Sequence, residues 1–227
     1  MHIMPMSSFQ PQLPFAYHCM AFSPEQYQDA DFAHFNQPLP SKLGRAVAKR
    51  KAEYLAGRVC AANAIQQLGR PHYVVQSAES RAPIWPEGVN GSITHSKGVA
   101  MAIATDKVDV LGLGIDIEHM MSDKQENELR GQILRDDEAT AFAALGQDHP
   151  KPLTLVFSAK ESIYKALYSV VQTFFGFDAA KLIDHDVKHL RFALTASLHP
   201  TLPAGTEITV YYQSSDEMVL TECVHLG

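Results

Sequence analysis

The sequence predicts an α+β fold in which a helix is followed by strands, and the same succession then repeats. Three observations carry that expectation. A segment of helical period over residues 42–68 gives way to short β-branched runs between residues 73 and 118. A charged, mostly helical stretch and a stronger helix over residues 155–172 then lead into a strand-rich tail. Hydrophobic residues make up 46% and charged residues 19% of the 227 positions, enough apolar material for one large or two small packed cores. The expected division is into residues 1–110 and 111–227, and no low-complexity linker marks the boundary.

Residues 1–41 hold six of the thirteen prolines, and only FAYHCMAF (15–22) reads as a strand there; the rest reads as loop and short turns. In the first helix, Leu55, Val59, Ala62, Ile65 and Leu68 fall near helical spacing, and Gly69-Arg70-Pro71 stops it. YVVQ, GSITHS, VAMAIAT and VDVLGLGIDIE follow as short strands. MSDKQENELRGQILRDDEATAFAAL is charged and mostly helical, and Pro150 and Pro152 punctuate it before the second strong helix, LVFSAKESIYKALYSVVQ. LRFALTASL, TEITVYYQ and EMVLTECVHL close the chain as strands.

With 19 basic and 25 acidic side chains the formal charge is −6, which argues against a broad nucleic-acid-binding surface and leaves room for a local basic pocket. The three cysteines, Cys19, Cys60 and Cys223, show no C-x-x-C spacing and fit a reducing compartment. No run approaches the roughly 18 apolar residues of a membrane span, and the N-terminus lacks the basic segment of a secretory signal. The expectation is a cytoplasmic monomer.

Four features carry chemistry. In LGLGIDIE (111–118), strand alternation puts Leu111, Leu113, Ile115 and Ile117 on a core face and Gly112, Gly114, Asp116 and Glu118 on the other. Two carboxylates beside two positions without side chains suit Mg²⁺ holding a phosphorylated substrate; a polar face meeting water is the plainer alternative. In FSAKESIYKAL (157–167), Val156, Ile163, Leu167 and Val170 form the apolar stripe, while Glu161 and Lys165 lie opposite, one turn apart. Those two would meet a metal-bound phosphate together, or form a surface i,i+4 pair with Ser158-x-x-Glu161 acting as a capping box.

The third feature is Arg58, which projects into the apolar sector of the first helix with Arg50 at its border. A guanidinium there needs an internal acid, a route to water, or an anionic ligand such as phosphate. The fourth is His95 in GSITHS, at a strand end among small and hydroxylated residues, where it would donate to phosphate or serve as one more surface or core histidine among eleven.

In this order and spacing, KRKAEYLAGR, WPEGVNGSITHSKG, GLGIDIE and FSAKESIYKAL resemble the Sfp-type 4'-phosphopantetheinyl transferases, above all the enterobactin synthase component D subgroup. The resemblance covers about Lys49 to Leu167, and the first 41 residues match nothing usable. It implies a pseudo-two-fold pair of similar α/β halves with the active site between them. The first half is implied to carry coenzyme A phosphate-binding residues; the second carries the metal-binding acids and the catalytic helix. The implied reaction moves the phosphopantetheine arm of coenzyme A onto a serine of an apo carrier protein and releases adenosine 3',5'-bisphosphate.

Carried over position by position, Asp116, Glu118 and Glu161 resemble the Mg²⁺-binding acids, and Glu161 a candidate base for the serine. Lys165 resembles the lysine at the pyrophosphate, and Lys160, which precedes the glutamate as in the family, is implied to be a further coenzyme A contact. Arg50, Arg58, Thr94 and His95 resemble groups that grip coenzyme A phosphates. Ser96 stands where the family often has cysteine, and Arg81 lies near a further basic contact. The implied partners are coenzyme A and carrier proteins of siderophore, nonribosomal peptide, polyketide or polyunsaturated fatty acid synthesis. Two readings compete. One is another Mg²⁺-dependent phosphate-handling enzyme. The other is a non-catalytic carrier-binding scaffold, which would lack an acid or the lysine, and none is missing.

Overall fold

The computed structural model describes Met1, residues 3–5 and residues 9–227 of the chain. The chain forms two compact units, Met1–Val108 and Asp109–Gly227. The architecture is α+β, with antiparallel sheets throughout.

In the first unit, β1 (Ile3–Pro5) pairs with β2 (Ala16–Phe22), and α1 (Asp31–His34) is a single turn. The long helix α2 runs from Ala48 to Gln67, later than the periodicity at residue 42 predicts. Residues 41–43 form a separate 3₁₀ turn, and Val47 is extended (ψ 152°) and largely exposed, so no core contact draws the helix further back. β3 (Gln76–Ser77) and β4 (Pro83–Ile84) make a two-residue ribbon, less than the YVVQ strand expected. β5 (Asn90–Ser96) and β6 (Val99–Thr105) complete a sheet of order β1-β2-β6-β5.

Strand β1 falls where the sequence suggests only loop. It survives a proline because it is an edge strand, where a missing N–H costs no ladder bond; residues 2 and 6–8 of that expected loop lie outside the described residues. The core sets Leu55, Ala56, Cys60 and Ile65 of α2 against Met20 and Phe22 of β2 and Ala100, Ala102 and Ala104 of β6. The small alanines on β6 let the helix lie close to the strand, and removal of these side chains from water drives the packing.

In the second unit, β7 (Val110–His119) carries the G-L-G-I-D-I-E run. It is followed by α3 (Asp123–Ile133), which starts on a capping box formed by Ser122 and Gln125, and by α4 (Ala139–Asp148). Helix α5 begins at Pro152, a proline tolerated at the first helical position where its missing N–H has no intrahelical role, and runs to Val171. Next come β8 (Ala180–His185), β9 (His189–Leu194), β10 (Glu207–Ser214) and β11 (Met218–Leu226), giving the sheet order β7-β11-β10-β9-β8. The sequence reading passes over β8, whose apolar pattern is short and flanked by charge. The core packs Leu155, Val156, Ala159, Ile163 and Leu167 of α5 against Leu182, Phe192, Val210, Val219 and Cys223 of the sheet.

Candidate active site

The glycines of β7 decide how the second unit's polar cluster forms. A Cβ at Gly112 would lie 1.9 Å from the Ala166 carbonyl oxygen, and one at Gly114 would lie 1.8 Å from that of Ser162. The space expected beside Asp116 for a ligand is therefore filled by the backbone of α5, which lies directly on this face of the strand. The glycines mark the path of the helix, while Glu118 at the end of the same face is half-buried. Only residues without a side chain on the strand allow so close an approach.

That approach brings α5 side chains onto Asp116, which is 4% exposed. Lys165 Nζ donates to Asp116 Oδ1 at 2.8 Å and to the Ile115 carbonyl at 2.9 Å. Ser158 Oγ donates to Asp116 Oδ2 at 2.9 Å. Thr221, directly opposite Asp116 across the β7–β11 pair, lies 2.9 Å from Ser158 Oγ and 2.7 Å from Ser162 Oγ. Ser158 sits well inside α5, so the capping-box reading fails. Lys165 turns to the strand and makes no ion pair within 4.0 Å to Glu161, so the surface-pair reading fails with it.

Glu161, partly buried, has its carboxyl pushed above the usual carboxylate range, first by burial and then by the Asp116 charge, with Lys165 pulling the other way. Asp116, Lys165 and Glu161 thus share one electrostatic neighbourhood. Glu118 lies two residues beyond Asp116 on the same face, half-buried. Among the described residues, no three His, Cys, Asp or Glu side chains are grouped so as to hold a metal ion; the expected triad of Asp116, Glu118 and Glu161 is not drawn together as a ready ligand set.

Lys160 is corrected as a coenzyme A contact. It is 3% exposed, and its ammonium donates to Glu138 Oε2 at 2.7 Å and to the Ile133 carbonyl at 2.8 Å. Glu138, fully buried, also accepts from the backbone N–H groups of Arg135 and Leu182. Burial lowers the Lys160 pKa against the opposing pull of Glu138. This pair ties α5 to the segment around α4 and to β8, with its polar groups committed.

The first unit holds the other expected cluster. Arg58, 7% exposed, stacks on Tyr54 with its guanidinium carbon 4.4 Å from the ring centre, and its Nη2 donates to Ser77 Oγ at 2.7 Å. Among the described residues, it has no carboxylate within 4.0 Å, and its Nε is buried without a partner. Burial lowers its pKa, Tyr54 opposes that shift, and the nearby Arg50 charge adds to it. Arg50 Nη1 lies 3.4 Å from His95 Nε2 and 4.0 Å from a Glu53 carboxylate oxygen. Thr94 is buried and, by strand alternation, on the opposite face of β5 from His95.

The unpredicted members are Ser158, Ser162 and Thr221 in one cluster, and Tyr54 and Ser77 in the other. Ser158, Ser162 and Ala166 form a small-residue stripe at four-residue spacing, a visible signal that the helix lies close against something. Thr221 carries no signal, because its pairing with Asp116 spans more than a hundred residues.

Two family models cover most of the chain. The 4'-phosphopantetheinyl transferase N-terminal domain matches residues 39–105, and the 4'-phosphopantetheinyl transferase superfamily matches residues 112–218. Enterobactin synthase component D of Salmonella typhi is 34% identical over 210 residues, covering 91% of this chain and 86% of that protein. The chain belongs to the 4'-phosphopantetheinyl transferases. The component D protein of Escherichia coli strain K12 is 32% identical over 223 residues, 97% of this chain and all of that protein. The 4'-phosphopantetheinyl transferase PptT of Mycobacterium tuberculosis is 31% identical over 155 residues, 64% of each.

This transferase therefore moves the phosphopantetheine arm of coenzyme A to carrier proteins. The similarity extends well past Leu167, into the sheet that holds Thr221's neighbours. No helix among the described residues is long and apolar enough to cross a membrane.

Proposed function

We propose that Asp116, Lys165 and Glu161 carry the phosphopantetheine transfer, and that Arg50, Arg58 and His95 grip the phosphates of coenzyme A. The observation that carries the first assignment is the Asp116–Lys165 pair held under α5 beside the Glu161 carboxylate. In the reaction the carrier serine oxygen bonds to the pyrophosphate phosphorus nearest the pantetheine. The bond from that phosphorus to the bridging oxygen breaks, and adenosine 3',5'-bisphosphate leaves with the electron pair. Negative charge builds on the phosphate oxygens, where the Lys165 ammonium offsets it. The Glu161 carboxylate, with no hydrogen-bond donor among the described residues, accepts the serine proton.

Mg²⁺ fits this donor set. Asp116 and Glu161 carry hard oxygen donors, near enough that the Asp116 charge raises the Glu161 pKa, and Glu118 adds a third acid on the same strand face. An ion held by one or two protein carboxylates, completed by phosphate and water, is the ordinary Mg²⁺ arrangement. When bound, it supplies charge neutralisation at the diphosphate.

On the coenzyme side, Arg58 is a buried guanidinium without a carboxylate partner, beside Arg50 and His95. A cluster of like charges is stabilised by an anion, and a guanidinium fork suits phosphate. Thr94 faces the other way and is assigned no contact of its own with the phosphates. The physiological carriers are proposed to be those of siderophore peptide synthesis, on the strength of the relatives named enterobactin synthase component D. Three free, buried cysteines fit a reducing, cytoplasmic setting.

Incubation with coenzyme A, Mg²⁺ and an apo carrier, read by mass spectrometry, tests the assignment. The wild type adds one phosphopantetheine to the carrier. Asp116→Ala and Glu161→Ala each lower that rate at least about 100-fold while keeping the folded circular dichroism spectrum. Near-wild-type transfer by either variant at ordinary Mg²⁺ overturns the assignment. Hydrolysed coenzyme A with an unmodified carrier points to the phosphohydrolase reading instead.

A further inference from the structure

Three hydroxyls with no access to solvent surround the inner side of Asp116. Ser158 and Ser162 are one helical turn apart on α5, Thr221 faces them from β11, and all three are fully buried. Their contacts run in series. Ser162 Oγ is 2.7 Å from Thr221 Oγ1, Thr221 Oγ1 is 2.9 Å from Ser158 Oγ, and Ser158 Oγ is 2.9 Å from Asp116 Oδ2. Ser162 Oγ is also within 3.1 Å of the Thr221 carbonyl, and Ser158 Oγ within 3.3 Å of the Asp116 carbonyl.

Proton counting gives the chain a direction. An ionised carboxylate only accepts, so Ser158 spends its single proton on Asp116. Ser158 then accepts from Thr221, whose proton is spent in turn, while Ser162 has one proton to share between the Thr221 carbonyl at 3.1 Å and Thr221 Oγ1 at 2.7 Å. The Thr221 and Ser158 protons thus run in series to one carboxylate oxygen, and bonds in such a series polarise one another.

The surrounding face is apolar: Val219 and Cys223 flank Thr221 on β11, and Ala159 and Ile163 flank the serines on α5. Alanine and valine would pack there without the cost of burying hydroxyls. The carboxylate is what makes the hydroxyls worthwhile. A carboxylate torsion is otherwise broad and nearly two-fold, and Lys165, a quarter exposed, holds only the other oxygen.

We propose that Ser158 and Thr221, backed by Ser162, are positioning residues for the transfer: the series fixes Oδ2 and so presents Oδ1 to Lys165 and to a cation. The proposal rests on the reading that Asp116 works in the transfer. Ser158→Ala removes the direct bond, and Thr221→Val keeps the shape but removes the proton that Ser158 accepts. Each lowers kcat about tenfold or more, and each weakens Mn²⁺ binding to the substrate-free enzyme about tenfold, read by electron paramagnetic resonance of free Mn²⁺. The KM for coenzyme A stays within about twofold of wild type, because the ligand-gripping residues are not touched. Thr221→Ser, which keeps the hydroxyl, restores both kcat and Mn²⁺ affinity.

A purely structural role predicts something else: lower melting temperatures with kcat and Mn²⁺ binding retained below the transition, and no gain from Thr221→Ser over Thr221→Val. That outcome overturns the proposal, as does a wild type that binds no Mn²⁺ without substrate. Asp116→Asn, measured alongside, separates the two layers. Wild-type turnover in Asp116→Asn defeats the assignment of Asp116 itself. An inactive Asp116→Asn with fully active Ser158→Ala and Thr221→Val defeats only the positioning role.

Discussion

Helices α2 and α5 are each 20 residues long and each lies on an antiparallel sheet, and on both the buried lysines are paired, Lys51 of α2 with Asp29 at 3.0 Å, yet Arg58 of α2 is treated differently. On α5 both lysines are answered: Lys160 by Glu138, Lys165 by Asp116. Arg58, more buried than Lys165, meets a hydroxyl and an aromatic face, with no carboxylate within 4.0 Å among the described residues. A fully buried, paired charge such as Lys160 is committed to the fold, whereas an unpaired one is a standing cost that an anion relieves. Lys165 stands between them: it pairs with Asp116 but keeps a quarter of its side chain exposed, open to a ligand. Motif spacing alone does not show this, because Lys160 and Lys165 stand in the same motif.

The largest effect expected from this contrast is at Lys160. Lys160→Met leaves the fully buried Glu138 without its cation and costs about 3–5 kcal/mol of stability in urea unfolding. Adding Glu138→Gln recovers a large part of that loss, since the remaining amide is neutral. The KM of the folded Lys160→Met protein for coenzyme A is unchanged. A raised KM with full stability would return Lys160 to the ligand site and erase the distinction.

The two helices also approach their strands differently, which gives the next effect in size. Gly114→Ala sets a methyl 1.8 Å from a backbone carbonyl of α5, which has no flexible end to move. Such overpacking costs about 2–3 kcal/mol. Because α5 carries Ser158 and Lys165, turnover falls along with stability. Gly57 on α2 is the control: a Cβ there meets only the Cγ2 of Ile93, at 2.8 Å, a side-chain tip that can shift. Replacing a mid-helix glycine by alanine gains up to about 1 kcal/mol in propensity, so Gly57→Ala changes stability by less than about 1 kcal/mol. Equal losses in the two variants would mean that the close contact of α5 with β7 is not what the glycines are for.

The sequence made α2 and α5 legible because their apolar positions recur at helical spacing over many turns. The β7 motif was legible as a strand, but its glycines pointed toward open space when they mark the path of a helix. What separates those meanings is a partner about fifty residues away, and no local pattern carries that information. Lys160 misled for the same reason: its role is set by Glu138, 22 positions earlier, in a 3₁₀ turn with no motif of its own. Arg58 was legible because an arginine among apolar residues of one helix is anomalous within that helix alone. Thr221 was invisible because a threonine in a strand is unremarkable until its cross-strand neighbour is known.

The smallest effect tests the unpaired side of the comparison. Arg58→Met keeps the volume and the apolar stem and removes the charge. Since Arg58 has no carboxylate to abandon, no partner is left stranded as Glu138 is by the loss of Lys160. Ser77 loses only the acceptor role of a hydroxyl, and Tyr54 keeps an apolar neighbour. Stability is therefore expected to hold or rise, because burial of the guanidinium is what lowers its pKa and that cost disappears with the charge. Binding moves the other way: losing one charged hydrogen-bonding group raises the KM for coenzyme A about tenfold, or about 1.4 kcal/mol. A variant that gains or keeps stability while losing coenzyme A affinity is what a ligand-directed charge produces. A variant that loses stability with its KM intact would put Arg58 in the same class as Lys160, and the contrast between the two residues would vanish.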